Sequence, residues 1–513
     1  MTAVATALQP AEPSPLAETL ATEVADGITV RKLLVMGAAL ISLFIDQSFS
    51  GVFGTIAPYA TGTLGASTDE FAWATIDYNA CYYTLILLTP WLIGRFGRRN
   101  VFGAGHVFFG LTSIALSTTT NVDFFLVGRA VQGIAQGTFF VCSVATVLTL
   151  FPPKYRGYAF AIFSVTSLSA AASGAFVGGW FIDHTYWQNV FGLYAIMAIV
   201  AGVIVALLLE APPGNAGVKE DGIGVALAFV AFFGYNYVTQ YGERRDWLWD
   251  GWIDFWSVAA TLSLAAFVLW EIRLGDRAFI RLRLFKIRNL ALGSILGFSL
   301  GAPLFGANEF LSYAQTILGY PPSTAGALLT LRIVAIVFVA PAAVLLVNAD
   351  KIDVKVPVIL GFTLVPVSYI MLALTTTFES NVGTFTLALI LSGAGFACLF
   401  SPIANVTIRS LPPVFSSQGI AIFKMVLLLG GSIAAALLQV LFDHDSTSYA
   451  TLLTGRADLQ HLAGIGATHL PPGFGSYVAS QAAVLAFADN SKWIALASLV
   501  TVPLVFFLEK PKS

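Results

Sequence analysis

Charge is what this chain of 513 residues has least of. Only 11% of its residues are Asp, Glu, Lys or Arg, while 57% are hydrophobic. Soluble domains usually carry about 25% charged residues, so this surface has too little charge to live in water. The mean hydropathy of +0.81 agrees. A net charge of −2 lacks the basic footprint of a nucleic-acid partner. Cysteine is scarce as well. Cys81, Cys142 and Cys398 lie in apolar stretches at no metal-ligand spacing, which reads as buried thiols rather than a disulfide framework. Residues 1–29 contain no Lys or Arg and no apolar run, unlike a secretory signal, and are expected to form a disordered cytosolic tail. No G-x-x-x-x-G-K-[ST] phosphate loop is present, so direct ATP drive is not expected, and no cofactor is implied. Gly297-Phe-Ser299-Leu-Gly301 matches a nucleophile elbow as a string, but that motif needs a strand-turn-helix and this one lies in an apolar helical run. Asp443-His444-Asp445 reads as a solvated loop before a metal site. Without a catalytic cluster, an enzyme is not expected.

What the chain has in abundance is apolar runs of about 20 residues, the length that spans a bilayer as a helix. Such runs fall at 33–55, 71–93, 101–119, 123–147, 158–181, 188–209, 222–241 and 252–271. Six more fall near 290–313, 322–347, 354–375, 383–407, 417–441 and 491–508. The expected fold is therefore all-α and integral to the membrane, with 14 spans. Orientation follows from Lys and Arg, which concentrate on the cytosolic side. With a cytosolic N-terminus, 19 of the 26 basic residues fall at inside ends and loops. Arg244, Arg245, Arg456 and Lys492 fall outside, and Arg129, Arg332 and Lys424 within spans. Both termini are then cytosolic. The organisation reads as six, two and six: a first six-helix bundle over 30–211, two inserted helices over 212–272, and a second bundle over 273–513 with a long external loop at 442–490.

An ionisable group inside a bilayer costs a few kcal/mol or more, so each one is a functional candidate. Asp46 sits near the middle of span 1. Asp77 in span 2 and Arg129 in span 4 each lie six residues from the outer end, about 9 Å deep at the helical rise, so the three are expected to share a layer. Asp46 reads as a protonatable carboxylate, held ionised when Arg129 is close and free to take a proton when it is far; the competing reading is a static ion pair that locks packing. Glu309 near the outer end of span 9 reaches interfacial water or titrates, both readings standing. Arg332, midway along span 10, is too deep to snorkel and needs a partner or a wet cavity. Lys424, two turns into span 13, is expected to snorkel to the inner face. Gly133 and Gly137, like Gly174 and Gly178, are spaced four apart on one helix face, where small residues let backbones approach.

Several short strings then line up in order on the expected spans. The loop between spans 2 and 3 reads Gly94-Arg95-Phe96-Gly97-Arg98-Arg99, similar to the signature G-x-x-x-D-R-x-G-R-R. Span 4 carries Arg129-Ala-Val-Gln132-Gly133-Ile-Ala-Gln-Gly137, close to R-x-x-Q-G. Span 5 carries Gly174-Ala175-Phe-Val-Gly178-Gly179, close to G-P-x-x-G-G, and Trp187 and Phe191 follow in a W-x-x-x-F spacing. Over roughly residues 33–510 the chain resembles the 14-span drug:proton antiporters of the major facilitator superfamily, the EmrB/QacA type. The resemblance implies two six-helix bundles plus two inserted central helices, rocker-switch alternating access, and proton-driven export of apolar or cationic small molecules across the cytoplasmic (inner) membrane. It implies a coupling carboxylate at Asp46 and a functional arginine at Arg129. It also implies a conformational role for Arg95, Gly97, Arg98, Arg99, Gln132, Gly133, Gly137, Gly174, Gly178 and Gly179. Two positions depart from the pattern: Gly94 stands where the signature has Asp, removing a carboxylate that latches the cytoplasmic side, and Ala175 stands where the antiporter motif has Pro, removing a kink.

The main expectation is thus a proton-coupled multidrug efflux antiporter whose partners are a small-molecule substrate, protons and the bilayer. The alternatives are an exporter dedicated to one metabolite or siderophore, and a non-transporting membrane sensor. In a cell with two membranes, a periplasmic adaptor protein is an open further partner.

Overall fold

The computed structural model describes residues 29–215, 217–218, 220–456 and 473–509. In a bilayer core no water is present to satisfy backbone groups, so an apolar chain must close its hydrogen bonds within helices or a closed barrel. This chain takes the helical solution. Its rods are α1 (Val30–Thr63), α2 (Thr68–Phe96), α3 (Arg98–Leu116), α4 (Val122–Leu150), α5 (Pro153–His184), α6 (Asn189–Leu208), α7 (Gly222–Tyr241) and α8 (Gly251–Leu274). The second bundle follows as α9 (Arg288–Thr316), α10 (Pro322–Asn348), α11 (Lys355–Thr375), α12 (Val382–Arg409), α13 (Ser416–Arg456) and α14 (Phe474–Val505). Twelve of these are long and apolar enough to cross a membrane. The other two are α2, which carries Asp69, Glu70, Asp77 and Arg95, and the short α3. The described residues contain no strand beyond an isolated bridge between Gly97 and Pro213.

Local chemistry sets the ends. Ser67 and Glu70 form a reciprocal capping box at the start of α2, and Asn121, Asp250 and Asn381 cap α4, α8 and α12 with their side chains, each satisfying amides that a helix start leaves open. Between α2 and α3 the chain reverses on Gly97 alone, at φ 81, a conformation that favours a residue without Cβ. The basic residues around it grip neighbouring helix ends. Arg98 donates to the Ala145 carbonyl at 2.8 Å, Arg95 to that of Val218 at 2.8 Å, and Arg99 to that of Ala206. With Gly94 in place of the signature carboxylate, these contacts to carbonyls, the Arg95–Glu220 pair at 3.3 Å and the Asn215 amide donating to the Gly94 carbonyl at 2.8 Å help fasten the loop.

In the first bundle α1 packs on α4, α5 and α6, α2 on α4, and α3 on α4 and α6. In the second, α10 and α11 pack on α12, and α13 on α9 and α14. The bundles meet reciprocally: the fifth rod of the first (α5) runs along the second rod of the other (α10), and α2 meets α13. The inserted pair α7–α8 packs on α2, and α8 leaves Trp252, Phe255, Val258 and Leu262 exposed as a lipid-facing flank. Glycines mark the closest seams. A Cβ on Gly133 or Gly137 would strike the backbone of α2, one on Gly174 or Gly178 that of α1, and one on Gly179 the backbone of α10 at Pro322.

The expected external loop at 442–490 is not a loop over its described part. α13 continues to Arg456 and α14 begins at Phe474, so 442–456 and 474–490 are helical, and span 14 is longer than 491–508. Polarity ended the apolar run without ending the helix, because no proline interrupts it, and the two helices keep packing on each other. Tyr449 donates to Asp489 at 2.5 Å. At the helical rise, the 41 residues of α13 reach about 60 Å, roughly twice a bilayer core. Asp443, His444 and Asp445 thus lie on a helix, with His444 paired to Asp445 at 3.2 Å. Of the expected tail at 1–29, only Thr29 is among the described residues, as the N-cap of α1. The Leu470-Pro471-Pro472 run lies outside them.

The seams give a direct test. Gly174→Val drives a side chain into the α1 backbone and is expected to destabilise the fold by roughly 1–3 kcal/mol, seen as a lower melting temperature of the purified protein. Gly192→Val, where nothing lies within 4 Å of the added Cβ, is expected to melt as the wild type; equal melting of both variants would refute the close-packed α1–α5 seam.

Candidate functional site

Between the two bundles lies a cavity of about 620 Å³. Its lining stops on one side at Asp46, Lys424 and Phe400 in mid-bundle. On the other it reaches Arg244 and Trp247 in the α7–α8 connection and Asp443 beyond the middle of α13. The cavity is therefore directed away from the face at which α1 starts and α14 ends.

At its floor Asp46 of α1 forms an ion pair with Lys424 of α13, Oδ2 to Nζ at 3.2 Å, with side chains 0% and 3% exposed. The Tyr82 hydroxyl donates to Asp46 Oδ1 at 2.7 Å, and Lys424 also donates to Gln47 Oε1 at 2.7 Å. The Lys424 ammonium sits 4.6 Å from the centroid of the Phe140 ring, a favourable face for a desolvated cation. This overturns the expectation that Lys424 snorkels: its stem runs inward because a carboxylate, an amide and a ring face compensate its charge there. In this conformation the ion-pair partner of Asp46 is Lys424 and not Arg129. Arg129 is 1% exposed, donates to Gln132 Oε1 at 3.0 Å, and lies over Phe53 and Tyr78 at 4.0 and 4.1 Å. Tyr78 stacks on Tyr82 with ring centroids 5.5 Å apart. Two tyrosines thus separate the arginine from the carboxylate.

In the second bundle Arg332 lines the cavity and donates to Ser392 Oγ at 2.5 Å, which meets the expectation of a partner or a cavity. Glu309 is tied inward instead of reaching out, its Oε1 accepting from Asn490 Nδ2 at 2.5 Å. The Tyr369 hydroxyl donates to the Pro303 carbonyl at 2.9 Å. Each bundle therefore holds an arginine and a carboxylate within its spans. Asp46 and Arg129 line the cavity and Asp77 does not, because neighbouring residues of a helix point about 100° apart and Tyr78 is the one turned to the cavity. Glu309 is likewise absent from the lining.

Sequence reasoning missed Tyr82, Gln47 and the inward role of Lys424. The one signal available was Lys424 itself, a cation in an otherwise apolar run. No group of three or more His, Cys, Asp or Glu able to hold a metal occurs among the described residues.

Chemically, the site is a carboxylate and an ammonium from opposite bundles, joined in a low-dielectric cavity wall. A proton on Asp46 would remove the attraction that holds α1 to α13, and its loss would restore it. Breaking such a buried pair by deleting one partner costs about 3–5 kcal/mol, because the other charge is left uncompensated. Lys424→Ala is accordingly expected to lower the melting temperature markedly, and Asp46→Asn added to it to recover most of the loss. A double variant no more stable than Lys424→Ala alone would disprove the coupling.

Known proteins resemble the chain along nearly its whole length. The Major Facilitator Superfamily signature matches residues 39–435. The multidrug export protein EmrB of Escherichia coli K12 is 25% identical over 94% of this chain and 96% of its own. The fatty acid resistance protein FarB of Neisseria gonorrhoeae is 24% identical over 82% of each chain. Among solved structures, the nucleoside transporter NupG superposes with a TM-score of 0.52 at 11% identity, covering 91% of this chain and 99% of its own, a likeness of fold.

Proposed function

Because the chain belongs to the Major Facilitator Superfamily, we propose that it is a proton-coupled efflux antiporter that exports small amphiphilic molecules by alternating access. The observation that carries this is the Asp46–Lys424 ion pair across the two bundles, at the floor of the cavity between them. The excess of basic residues in the loops on the side of the termini supports cytosolic termini, and on this reading the cavity opens outward from the cytoplasmic membrane. In that state Asp46 is paired. A proton arriving from outside neutralises it, frees Lys424 and unlocks α1 from α13, and the bundles rock to face inward. Substrate then binds from the cytosolic side, the proton leaves to the cytosol, and the restored pair draws the bundles back. Arg129 and Arg332 keep a positive field around the carboxylates that favours proton release. On this reading Asp77, away from the cavity, does not carry the coupled proton, and Glu309 acts through Asn490.

The driving force is adequate. A charge crossing 100 mV yields about 2.3 kcal/mol, and one pH unit adds about 1.4. One proton therefore sustains a gradient of several hundredfold at about 1.4 kcal/mol per decade. Nothing in this cycle requires enzymatic chemistry in the chain. The domains follow as proposed units: 30–211 and 273–513 as the rocking bundles and 212–272 as the inserted pair. An adaptor would have the helical extension of α13 and α14 as its natural contact on the outer side.

One observation favours a second reading of the substrate. The buried charges lining the cavity are Arg129, Arg332 and Lys424 against Asp46 alone. This excess of cations suits an acidic amphiphile better than a cationic one. That narrows the expectation of apolar or cationic cargo. The two are separated by one experiment. In inverted membrane vesicles with an imposed proton gradient, wild type is expected to accumulate fluorescent amphiphiles, and Asp46→Asn to lose the gradient-dependent part. Acidic dyes outrunning cationic ones of equal size supports the second reading, and the reverse order the first. If wild type moves no dye under any gradient, multidrug export is refuted in favour of a dedicated metabolite.

A further inference from the structure

The base of the inserted hairpin holds a pair of carboxylates that transport through the central cavity does not use. Asp221 caps α7 and Glu271 lies in the last turn of α8, and they are 9% and 2% exposed. Half of each carboxylate is accounted for. Asp221 Oδ1 accepts from the Gly224 amide at 2.9 Å and from Trp270 Nε1 at 2.9 Å, and Glu271 Oε2 accepts from the Ile280 amide at 3.2 Å. The other two oxygens, Asp221 Oδ2 and Glu271 Oε1, are buried and have no donor. They converge on the same spot: a Cβ on Gly224 would stand 2.5 Å from the first and 2.8 Å from the second. The two oxygens thus contact the same small space over Gly224. Two ionised carboxylates cannot share such a contact, since both are acceptors only, and like charges this close disfavour double ionisation.

No cation among the described residues resolves the conflict. Among the described residues, Arg95 on the α2 side is engaged by the exposed Glu220 at 3.3 Å, and Arg281 lies over the Phe415 ring at 4.8 Å. Arg273, Arg277 and Arg283, from α8 and the linker after it, are exposed. Neither Asp221 nor Glu271 takes part in an ion pair with any of them. With two carboxylates and no third ligand, the group also falls short of a metal site.

We propose that Asp221 and Glu271 form a second proton-binding site, separate from the transport cavity, in which one shared proton clasps α7, α8 and the linker that follows. The proton lies on one carboxyl and is donated to the other. Through Ile280 the clasp fixes the linker, whose Arg281 amide bonds Gln418 Oε1 at 3.4 Å near the start of α13. As pH rises and the proton leaves to cytosolic water, two bare carboxylates face each other, and the base of the hairpin loosens. The proton is bound in the folded state and not in the unfolded one at neutral pH, so the clasp stabilises the fold less as pH rises. This inference stands apart from the efflux reading, since it concerns a site outside the cavity and is read out by stability.

The test uses the purified full chain, melted from mildly acidic to mildly alkaline pH. Glu271→Gln supplies a fixed N–H in place of the shared proton. It is expected to flatten the alkaline fall in melting temperature shown by the wild type, whereas Glu220→Gln, on the exposed neighbour, is expected to keep it. A Glu271→Gln protein with the wild-type pH slope would overturn the proposal. Should that variant fail to fold, infrared spectra of the wild type and Asp221→Asn decide the matter. A protonated-carboxyl band present at neutral pH in the wild type and lost or diminished in Asp221→Asn supports the clasp; an unchanged band, or no band in the wild type, sinks it.

Discussion

The arrangement of this protein turns on one contact, a lysine and an aspartate placed in a wall where water cannot stabilise them. In a low-dielectric interior an isolated charge is costly, and a pair is tolerated only when geometry and hydrogen bonds are good. The Asp46–Lys424 pair meets that condition with Tyr82, Gln47 and the Phe140 face. Because its halves belong to α1 and α13, the condition is also a statement about how the bundles sit. They cannot separate at the cavity floor without either charge finding a new partner or one charge disappearing. Protonation is the simplest way for a charge to disappear, which links packing to proton binding.

The rest of the architecture serves this contact by keeping helices close elsewhere. Glycines at the α1–α5, α2–α4 and α5–α10 seams bring backbones together where side chains would hold them apart, which is how helices associate without a hydrophobic driving force in lipid. The reciprocal meeting of α5 with α10 and of α2 with α13 gives the two bundles a near-symmetric seam about which to pivot. Each bundle also holds an arginine and a carboxylate within its spans, which repeats that symmetry at the level of charge. In the first, the rings of Tyr78 and Tyr82 lie between Arg129 and Asp46, where a direct ion pair would lock the helices permanently.

The inserted hairpin is held differently. Its far end is an aromatic cluster of Phe233, Tyr237, Tyr241 and Trp256 packed against Trp73 of α2, and its base is a pair of carboxylates with too few donors. Apolar packing is insensitive to pH while a carboxyl pair is not, so the two ends of the same hairpin respond to different conditions. The basic loop around Gly97 sits beside this base and grips carbonyls of α4 and α6.

The sequence by itself determined the class of molecule. Apolar runs of bilayer length, the one-sided distribution of Lys and Arg, and glycines at spacing four are local properties, and the physics that reads them is local too: helix rise, desolvation and backbone clearance. Asp46, Arg129 and Arg332 stood out for the same reason, since an ionisable residue in an apolar run is conspicuous wherever it points. Only the tertiary structure decided what each charge meets. Lys424 looked like a snorkelling residue because depth along one helix was all that could be read, and Arg129 looked like the partner of Asp46 because both lay in one bundle. Pairing depends on which faces of α1, α2, α4 and α13 turn to the cavity, and that is set by packing between segments hundreds of residues apart. The same holds for α13, where polarity suggested a loop and contact with α14 kept a helix, and for Asp221 and Glu271, unremarkable in sequence until α7 and α8 fold their ends together and leave two oxygens facing with nothing between them.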